Sequence, residues 1–325
     1  MPDTIKIAVC DDWEQAAMDC ADWTELQQLA QVHFFNTSFE SEAAAAQALK
    51  DFDAICLMRE RMAFPKSLID QLPRLKRLIF SGQRNLVVDI EHATKKGIEV
   101  SGTPGGPNKA STAEHTWSLI LAATRRVVTS MNGTQAGHWR GDTQGEPYRL
   151  PETLEGDRLG IIGLGDIGQR VGRIGQAMGM EVVAWSQNLT DEKAAAAGVR
   201  RVEKNELLAT SKVVSLHLVL SERTKRIIGP TEYSLMRRDS LLVNTSRSGL
   251  MDVDALIPAL DSGRPMMAAV DVFDVEPVTK GNVFFNHPKV VATPHLGFVS
   301  VPVFEAFYRT MVQDLTKWIK TQPAG

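Results

Sequence analysis

The chain has 325 residues, 43% of them apolar and 23% charged, which fits a globular protein of about two domains. Its 36 basic and 39 acidic residues leave a formal charge of −3, so no basic surface for nucleic acid is expected. The arginine pairs are scattered and are interpreted as solvated helix faces: Arg125-Arg126, Arg200-Arg201 and Arg237-Arg238.

Cysteine usage and hydropathy indicate the compartment. Cys10, Cys20 and Cys56 form no CxxC pair and leave one odd thiol, which argues against a disulfide framework. The first residues lack the basic start and apolar core of a signal peptide, and the longest apolar helical run stops at Arg125, short of a membrane span. We therefore expect a cytoplasmic protein with no membrane partner.

Short apolar runs alternate with helical stretches through the first third of the chain. The predicted strands are IKIAVC, VHFF, AICLM, LKRLIF and IEVSG. The predicted helices between them cover residues 13–30, 41–50, 65–72 and 89–96. This alternation predicts a parallel sheet covered by helices on both faces.

A second alternating series follows GTPGGPN, residues 102–108, which is interpreted as a hinge. Ser111 or Thr112 is then expected to cap a long apolar helix, AEHTWSLILAATRRV. The strands of this series are LGIIG, EVVAW, KVVSLHL, SLLVNT, MMAAVDV and KVVAT. The chain closes with an amphipathic helix, FEAFYRTMVQDLTKWI, which can return to the first domain and make it discontinuous.

A glycine fingerprint opens the second series. Gly163, Gly165 and Gly168 form GxGxxG directly after the apolar strand LGII and directly before a predicted helix, QRVGRIGQAMG. Asp166 and Ile167 lie within this fingerprint and are expected to bind the cofactor as well. In that context the first glycine permits a tight turn, the second admits a pyrophosphate, and the third allows close helix–strand packing. The helix N-terminus adds unpaired N–H groups and a partial positive charge. The pattern predicts a dinucleotide-binding site.

The ribose position lacks the acid that usually marks an NAD site. Ser186, Gln187 and Asn188 end the second strand, and their uncharged groups can bind either a ribose hydroxyl or a phosphate oxygen. The nearest cation in sequence is Lys193, and no arginine adjoins the three residues. We therefore expect NAD(H) as cofactor, with NADP(H) possible.

Three downstream residues follow strands of the second series, where open α/β sheets bind ligands. Arg247 follows SLLVNT, Glu276 follows MMAAVDV, and His295 follows KVVAT. A guanidinium can grip a substrate carboxylate in a bidentate manner, and an imidazolium can give a proton to a carbonyl oxygen. A neighbouring carboxylate favours the charged imidazole. Together the three residue types suit hydride transfer to a 2-oxo acid.

Several motifs, in order, resemble those of the D-isomer-specific 2-hydroxyacid dehydrogenase family over nearly the whole chain. They include IIGLGDIGQRV, SLHLVLSERT, LLVNTSRSGLMD, VDVFDVEPV and ATPHLGF. The resemblance implies two doubly wound α/β domains with parallel sheets. A flavodoxin-like substrate domain would span 1–104 and 299–325, and an inserted Rossmann domain that forms a homodimer would span 105–298.

The resemblance also implies roles for individual residues. Arg247 would bind and polarise the substrate, and Glu276 and His295 would be the acid/base pair. Asp271 would face the nicotinamide amide, and the positions near the cofactor would include His217, Thr224 and Thr245. Backbone N–H groups of Gln83 and Arg84 would hold the substrate carboxylate.

Arg84 stands where many members of the family have glycine. Arg59 and Arg61 follow the third strand and are either pocket residues or exposed loop residues. If they line the pocket, an acidic or phosphorylated 2-oxo acid is favoured.

Two functions from different classes are compatible with these residues. The first is a 2-oxo acid reductase acting on glyoxylate, hydroxypyruvate or a similar small molecule. The second is a dinucleotide-sensing protein similar to the corepressors built on this fold, which can retain the same three residues. Glu276 argues against a formate dehydrogenase, in which glutamine accompanies the histidine. No HExxH or CxxC motif indicates a metal site.

Overall fold

The computed structural model describes residues 4–106, 109–140, 150–278, 281–285 and 287–322. The chain forms two compact units. The first comprises Met1–Asn108 and Val299–Gly325, and the second comprises Lys109–Phe298. The last two residues of the predicted hinge, 107 and 108, lie outside the described residues.

The first unit contains a five-stranded sheet in which all neighbouring strands are parallel. Its strands in chain order are β1 Lys6–Val9, β2 Gln31–Phe34, β3 Ala54–Leu57, β4 Arg77–Phe80 and β5 Glu99–Gly102. Their order across the sheet is β2-β1-β3-β4-β5. The central strands β3 and β4 are buried at every position, as expected for a parallel sheet with both faces covered.

The helices of the first unit follow the predicted positions with one exception. They are α1 Ala17–Cys20, α2 Thr24–Leu29, α3 Glu42–Leu49, α4 Lys66–Ile69 and α5 Ile90–Lys95. The single helix predicted over 13–30 is wrong, because the chain becomes extended at Ala21. There the Asp22 carboxylate accepts a hydrogen bond of 2.9 Å from the Thr24 N–H, a local bond that competes with helix continuation.

The last helix of the chain, α13 Val301–Thr321, belongs to the first unit. It begins before the predicted Phe304 because Pro302 is tolerated in a first helical turn. Its buried face includes Phe304, Tyr308 and Leu315. The Tyr308 hydroxyl donates to Asp12 Oδ1 at 2.9 Å. The unit is therefore discontinuous in sequence.

The second unit contains a seven-stranded sheet, again with all neighbouring strands parallel. Its strands are β6 Arg158–Ile162, β7 Glu181–Trp185, β8 Arg200–Arg201, β9 Val213–Leu216, β10 Leu241–Asn244, β11 Met267–Val270 and β12 Val290–Ala292. Their order is β12-β11-β10-β9-β6-β7-β8. The prediction of two parallel α/β sheets is thereby confirmed.

The helices of the second unit are α6 Ala110–Thr124, α7 Val127–Gln135, α8 Asp166–Ala177, α9 Asp191–Ala196, α10 Lys204–Thr210, α11 Pro230–Leu235 and α12 Val253–Ser262. The prediction that Ser111 or Thr112 caps α6 is wrong. The helix begins at Ala110 without a side-chain cap, and the Ser111 hydroxyl instead donates to the Gly297 carbonyl at 2.9 Å.

The interpretation of the arginine pairs as helix faces is also wrong. Arg200 and Arg201 form the edge strand β8, and Arg125 and Arg126 lie between α6 and α7. Arg237-Arg238 follows α11. A two-residue strand is too short to produce an alternating pattern that sequence analysis can detect.

Candidate active site

The glycine loop joins β6 to α8 with the geometry that a pyrophosphate requires. Gly163 has a φ of +104°, and a Cβ added there would lie 2.6 Å from the carbonyl carbon of His217. A Cβ at Gly165 would meet no atom within 4 Å, so this backbone is open to a ligand. No side chain caps the N-terminus of α8. The residues present therefore fit a dinucleotide, which would lie against Gly165 and the first turn of the helix.

Charged side chains surround the start of α8. Asp166, in the first turn, lies 3.0 Å from Arg170 and 3.7 Å from Lys109. Ile167 and Gly168 follow, and Gly168 packs closely against Gly163 and the Ile161 side chain. Two cations thus stand beside the helix N-terminus, where they add to the positive potential that anions meet.

Ser186, Gln187 and Asn188 lie at the carboxyl end of β7, as predicted, in a turn closed by a 3.1 Å bond from the Leu189 N–H to the Ser186 carbonyl. Sequence reasoning missed a cation beside this turn. Arg201 Nε donates to the Leu189 carbonyl at 3.0 Å. Only the pairing of β7 with β8 brings this arginine near, and no sequence motif indicates it.

His217 follows β9 and adjoins the glycine loop. Its Nε2 lies 2.9 Å from the Ser215 hydroxyl, and its Nδ1 is buried without a hydrogen-bond partner among the described residues. Burial lowers the pKa of His217 to about 4, so the ring is neutral near pH 7.

The two predicted threonines occupy different surroundings. Thr245 is buried and lies 2.8 Å from the Thr116 hydroxyl of α6. Thr224 closes a loop by donating to the Val219 carbonyl at 2.7 Å and accepting from the Ser221 N–H at 2.8 Å. Thr224 therefore shapes the loop after β9, and its contact with a cofactor stays a prediction.

The structure brings Glu276 and His295 together. His295 Nδ1 lies 2.6 Å from Glu276 Oε2, and the two side chains are 30% and 28% exposed. An ionised carboxylate only accepts hydrogen bonds, so Nδ1 carries the hydrogen and Nε2 remains available to a ligand. Glu276 Oε1 accepts from the Phe273 N–H at 2.9 Å, which fixes the carboxylate. The imidazole of His295 also packs edge-on against Phe298.

A fully buried carboxylate holds the loop that carries His295. Asp271 Oδ1 accepts from the Leu296 N–H at 2.8 Å and Oδ2 accepts from the Gly297 N–H at 2.8 Å. Asp271 Oδ1 also accepts from the Thr293 hydroxyl at 2.6 Å and lies 3.0 Å from His115 Nε2. These bonds hold His295 in a left-handed conformation with a φ of +55°. The predicted contact of Asp271 with a nicotinamide amide stays a prediction.

His115 was missed by sequence reasoning. It lies in the apolar helix α6, in which one histidine gives no pattern that separates it from a packed core ring. Its 3.0 Å approach to the Thr293 hydroxyl, as well as to Asp271, joins α6 to the loop that follows β12.

Arg247 directly follows the turn at the end of β10, and its side chain is exposed. Asn244 organises that turn, since its Nδ2 donates to the Arg247 carbonyl at 2.9 Å and its Oδ1 accepts from the Ser246 N–H at 3.0 Å. The guanidinium donates to the Ser246 carbonyl at 2.7 Å. The backbone of Arg247 is therefore fixed, while the residue itself is exposed.

The predicted carboxylate-binding residues lie in the first unit, in the loop after β4. Gln83 and Arg84 are exposed. Arg59, which follows β3, is half-buried. The Arg59 guanidinium donates to the Ser81 carbonyl at 3.2 Å, and Asn85 donates to the Arg59 carbonyl at 2.6 Å. The structure therefore brings Arg59 to the loop that contains Gln83 and Arg84.

Arg61 has a different environment. It pairs with Glu14 at 2.6 Å, and its guanidinium stacks 4.2 Å from the Trp13 ring centroid. Among the described residues no group of three His, Cys, Asp or Glu side chains could hold a metal ion. Within the same part of the chain, no helix is both long and apolar enough to cross a membrane.

Comparison with known proteins connects this geometry to a family. Residues 117–297 match the model for the NAD binding domain of D-isomer specific 2-hydroxyacid dehydrogenases. A glyoxylate reductase from Aeropyrum pernix is 39% identical over 230 residues, which are 70% of this chain and 68% of the relative. A D-3-phosphoglycerate dehydrogenase from Bacillus subtilis is 33% identical over 84% of this chain and 50% of its own length.

A solved structure gives the same result over the whole chain. The phosphoglycerate oxidoreductase from Vibrio cholerae has 33% sequence identity and a TM-score of 0.91, with 98% of this chain and 100% of that chain covered. Its similarity extends over both units.

Proposed function

Because the chain belongs to the D-isomer specific 2-hydroxyacid dehydrogenase family, whose members are NAD-dependent oxidoreductases that act on a CH–OH group, we propose that it interconverts a small 2-oxo acid and its D-2-hydroxy acid. Glyoxylate and hydroxypyruvate are the substrates we favour. The single observation that carries the proposed chemistry is the 2.6 Å bond between His295 Nδ1 and Glu276 Oε2.

His295 is the proposed general acid in the direction of reduction. Its Nδ1 is held by Glu276, so the proton would leave from Nε2 toward the substrate carbonyl oxygen. The carboxylate faces the positive charge of the imidazolium and fixes the ring orientation. Asp271 supports the same geometry by holding the backbone of Leu296 and Gly297. In the reverse direction the neutral ring would accept the proton at the same atom.

Arg247 is the proposed substrate-binding residue. Its guanidinium can bind a carboxylate through two parallel hydrogen bonds and withdraw charge from the adjacent carbonyl oxygen. The fixed turn at Asn244 supports this role, since it limits the positions that the guanidinium can reach. Backbone N–H groups of Gln83 and Arg84 would hold the carboxylate from the loop after β4.

Arg59 and Arg84 support a preference for an anionic substrate. Arg59 is tied to the loop that contains Arg84 by bonds to Ser81 and from Asn85. Positive charge near a carboxylate-binding loop raises the local concentration of anions. We therefore include acidic and phosphorylated 2-oxo acids among the proposed substrates.

NAD(H) supplies the hydride acceptor or donor when bound. The residues proposed to hold it are the glycine loop with Asp166 and Ile167, the turn Ser186-Gln187-Asn188, and His217, Thr224, Thr245 and Asp271. The neutral ring of His217 suits a site beside the dinucleotide, because one of its nitrogens can donate a hydrogen bond while the other accepts one.

A homodimer through the second unit is also proposed. Helix α7 of this unit buries none of its residues and leaves Val127, Val128 and Met131 from 41% to 55% exposed. An apolar helix face of this kind is typical of an interface. Light scattering on the purified chain would give the mass directly, and a monomer would refute this assignment.

The test of the proposed reaction is the rate of NADH oxidation with glyoxylate and with hydroxypyruvate. In His295→Asn the turnover number should fall by about 10²- to 10⁴-fold, as expected for loss of a general acid, while the dissociation constant of NADH stays unchanged. His287→Asn is the matched control, because His287 precedes the strand that His295 follows. Retained activity in His295→Asn, or no reduction of any 2-oxo acid by the wild type, would refute the proposal.

A further inference from the structure

Arg201 is the cation that contacts the turn after β7, where a dinucleotide's adenosine ribose lies in proteins of this architecture. Its Nε donates to the Leu189 carbonyl at 3.0 Å. The backbone fixes this approach, since the Val202 N–H donates to the Ala184 carbonyl at 3.0 Å and pairs β8 with β7. The position of Arg201 beside the turn therefore depends on the pairing of β8 with β7 as well as on the conformation of its side chain.

The contact with the turn is made from one face of β8, and the preceding residue, Arg200, lies on the other face. Successive side chains of a strand point to opposite faces. Arg200 accordingly pairs with Glu181 and Glu206, each at 3.2 Å, and 53% of its side chain is exposed. Of these two arginines, Arg201 is the one that contacts the turn formed by residues 186–189.

Two carboxylates already neutralise Arg201. A carboxylate oxygen of Glu203 lies 2.8 Å from Arg201 Nη2, and one of Asp191 lies 4.0 Å from Nη1. The three side chains together carry a net charge of −1 at pH 7. Asp191 begins α9, so it stands at the far end of the same turn. Two carboxylates are therefore paired with the arginine beside this turn, whereas Ser186 itself is uncharged.

We propose that Arg201, Glu203 and Asp191 set the choice between NAD(H) and NADP(H). A 2′-phosphate carries roughly −1.5 to −2 charges near pH 7 and would meet two carboxylates beside a guanidinium that is already paired. A ribose diol is uncharged and meets no such repulsion. The cluster therefore favours NAD(H). This inference rests on the dinucleotide site of the proposed function and is independent of the 2-oxo acid.

Nucleotide halves test this inference without catalysis. Isothermal titration calorimetry would compare 2′,5′-ADP with 5′-AMP on the wild type and on the Asp191→Asn/Glu203→Gln double variant. The wild type should bind 2′,5′-ADP no more tightly than 5′-AMP. The double variant should bind 2′,5′-ADP about 10-fold more tightly than the wild type does, since two repulsive charges are lost and Arg201 is released. Affinity for 5′-AMP should not change.

Adding Arg201→Ala to the double variant should abolish the gain. Glu206→Gln is the matched control, because it removes a carboxylate from the opposite face of β8 and should leave both affinities unchanged. The inference would be overturned if the double variant gained no affinity for 2′,5′-ADP, or if the gain persisted in the absence of Arg201. A wild type that prefers 2′,5′-ADP to 5′-AMP would overturn it as well. Failure of 5′-AMP, 2′,5′-ADP and NADH to bind the wild type would overturn the nucleotide site as well. Normal binding without turnover would refute only the proposed reaction.

Discussion

At the scale of single residues, His217 combines a structural position with an unusual electrostatic environment. The residue is only half-buried, but its Nδ1 is shut off from solvent and has no partner among the described residues. Burial lowers its pKa from 6.5 to about 4. Protonation therefore costs more in the folded state than in the unfolded state.

This pKa shift predicts a pH-dependent stability. As pH falls from 6.5 toward 4, the unfolded chain takes up a proton that the folded chain does not, so stability is lost over that range. The loss is at most about 3 kcal/mol from this group. His217→Gln should flatten the fall in Tm between pH 6.5 and 4 in thermal melts. If Tm fell equally with pH in the variant and in the wild type, the result would contradict this explanation.

The pKa shift of Asp11 has the opposite effect on the pH dependence of stability from that of His217. It is 1% exposed, and burial raises its pKa to about 6, against the opposing effect of Arg61. Because the folded state holds the proton more tightly than the unfolded state does, this group favours folding at low pH. That contribution is lost as pH rises from 3.8 through 6.

Asp11→Asn should therefore stabilise the protein at pH 8, by at most about 3 kcal/mol. Asparagine also suits the left-handed backbone of this position, where φ is +58°. The adjacent Asp12→Asn is the matched control and should destabilise, because Asp12 accepts bonds from the Ala16 and Ala17 N–H groups and from Tyr308. Denaturant unfolding at pH 8 would decide; a destabilised Asp11→Asn would contradict the account.

Some of the site residues carry a signal in the sequence and others do not. The residues predicted from chemistry at strand ends include Glu276 and His295, which the structure places 2.6 Å apart. No sequence pattern identifies His115 and Arg201, because their importance comes from neighbours that are distant in sequence. One contacts Asp271, 156 positions away, and the other contacts the turn after β7 through sheet pairing.

At the scale of elements, the loop from β6 to α8 separates two roles of glycine. Gly163 needs its positive φ and its close approach to His217 to fold at all. Gly165 has a φ of −79°, which any residue adopts, and open space around it. The second glycine is therefore required by the ligand rather than by the fold.

Gly165→Ala should leave Tm unchanged and raise the NADH dissociation constant by roughly 10-fold or more, since the methyl group occupies the approach to the pyrophosphate. Gly156→Ala is the complementary control. Its φ of +81° strains alanine, so stability should fall by about 1 kcal/mol while NADH affinity is kept. Thermal melts and calorimetric titration give both readouts. Unchanged NADH affinity in Gly165→Ala would refute the assigned role.

Regular elements with long apolar patterns were predicted well, and the exceptions have physical causes. Eleven strands follow from apolar runs, whereas β8 has only Arg200 and Arg201 and depends on pairing with β7. The break between α1 and α2 comes from a single side-chain bond of Asp22. Local chemistry of this kind changes an element without changing the hydrophobic pattern around it.

At the scale of the whole molecule, a polar cluster secures the two sequence segments of the first unit. Arg77 is 6% exposed and lies 2.5 Å from Asp314 of α13. Ser101 donates to the other carboxylate oxygen at 2.9 Å. Apolar contacts of Phe304, Tyr308 and Leu315 act beside this cluster.

Asp314→Asn should lower the free energy of unfolding by about 1–3 kcal/mol, because it removes the nearer of the two carboxylates beside the buried charge of Arg77 and leaves only Glu99, at 3.9 Å, among the described residues. Glu305→Gln is the matched control on the same helix. It breaks an exposed pair with Arg309 and should change stability by less than about 0.5 kcal/mol. Denaturant unfolding of both variants is the measurement, and equal effects would refute the role given to Asp314.

The discontinuity of the first unit has a consequence for synthesis on the ribosome. Strands β1 to β5 are translated before the second unit, but helix α13 of the same first unit is translated after it. At typical rates of about 5–20 residues per second, the intervening chain of roughly 200 residues takes on the order of 10–40 s to translate. The inserted unit can complete its fold within that interval, whereas the first unit still lacks α13. During that time the apolar residues that pack against Phe304, Tyr308 and Leu315 lack these partners.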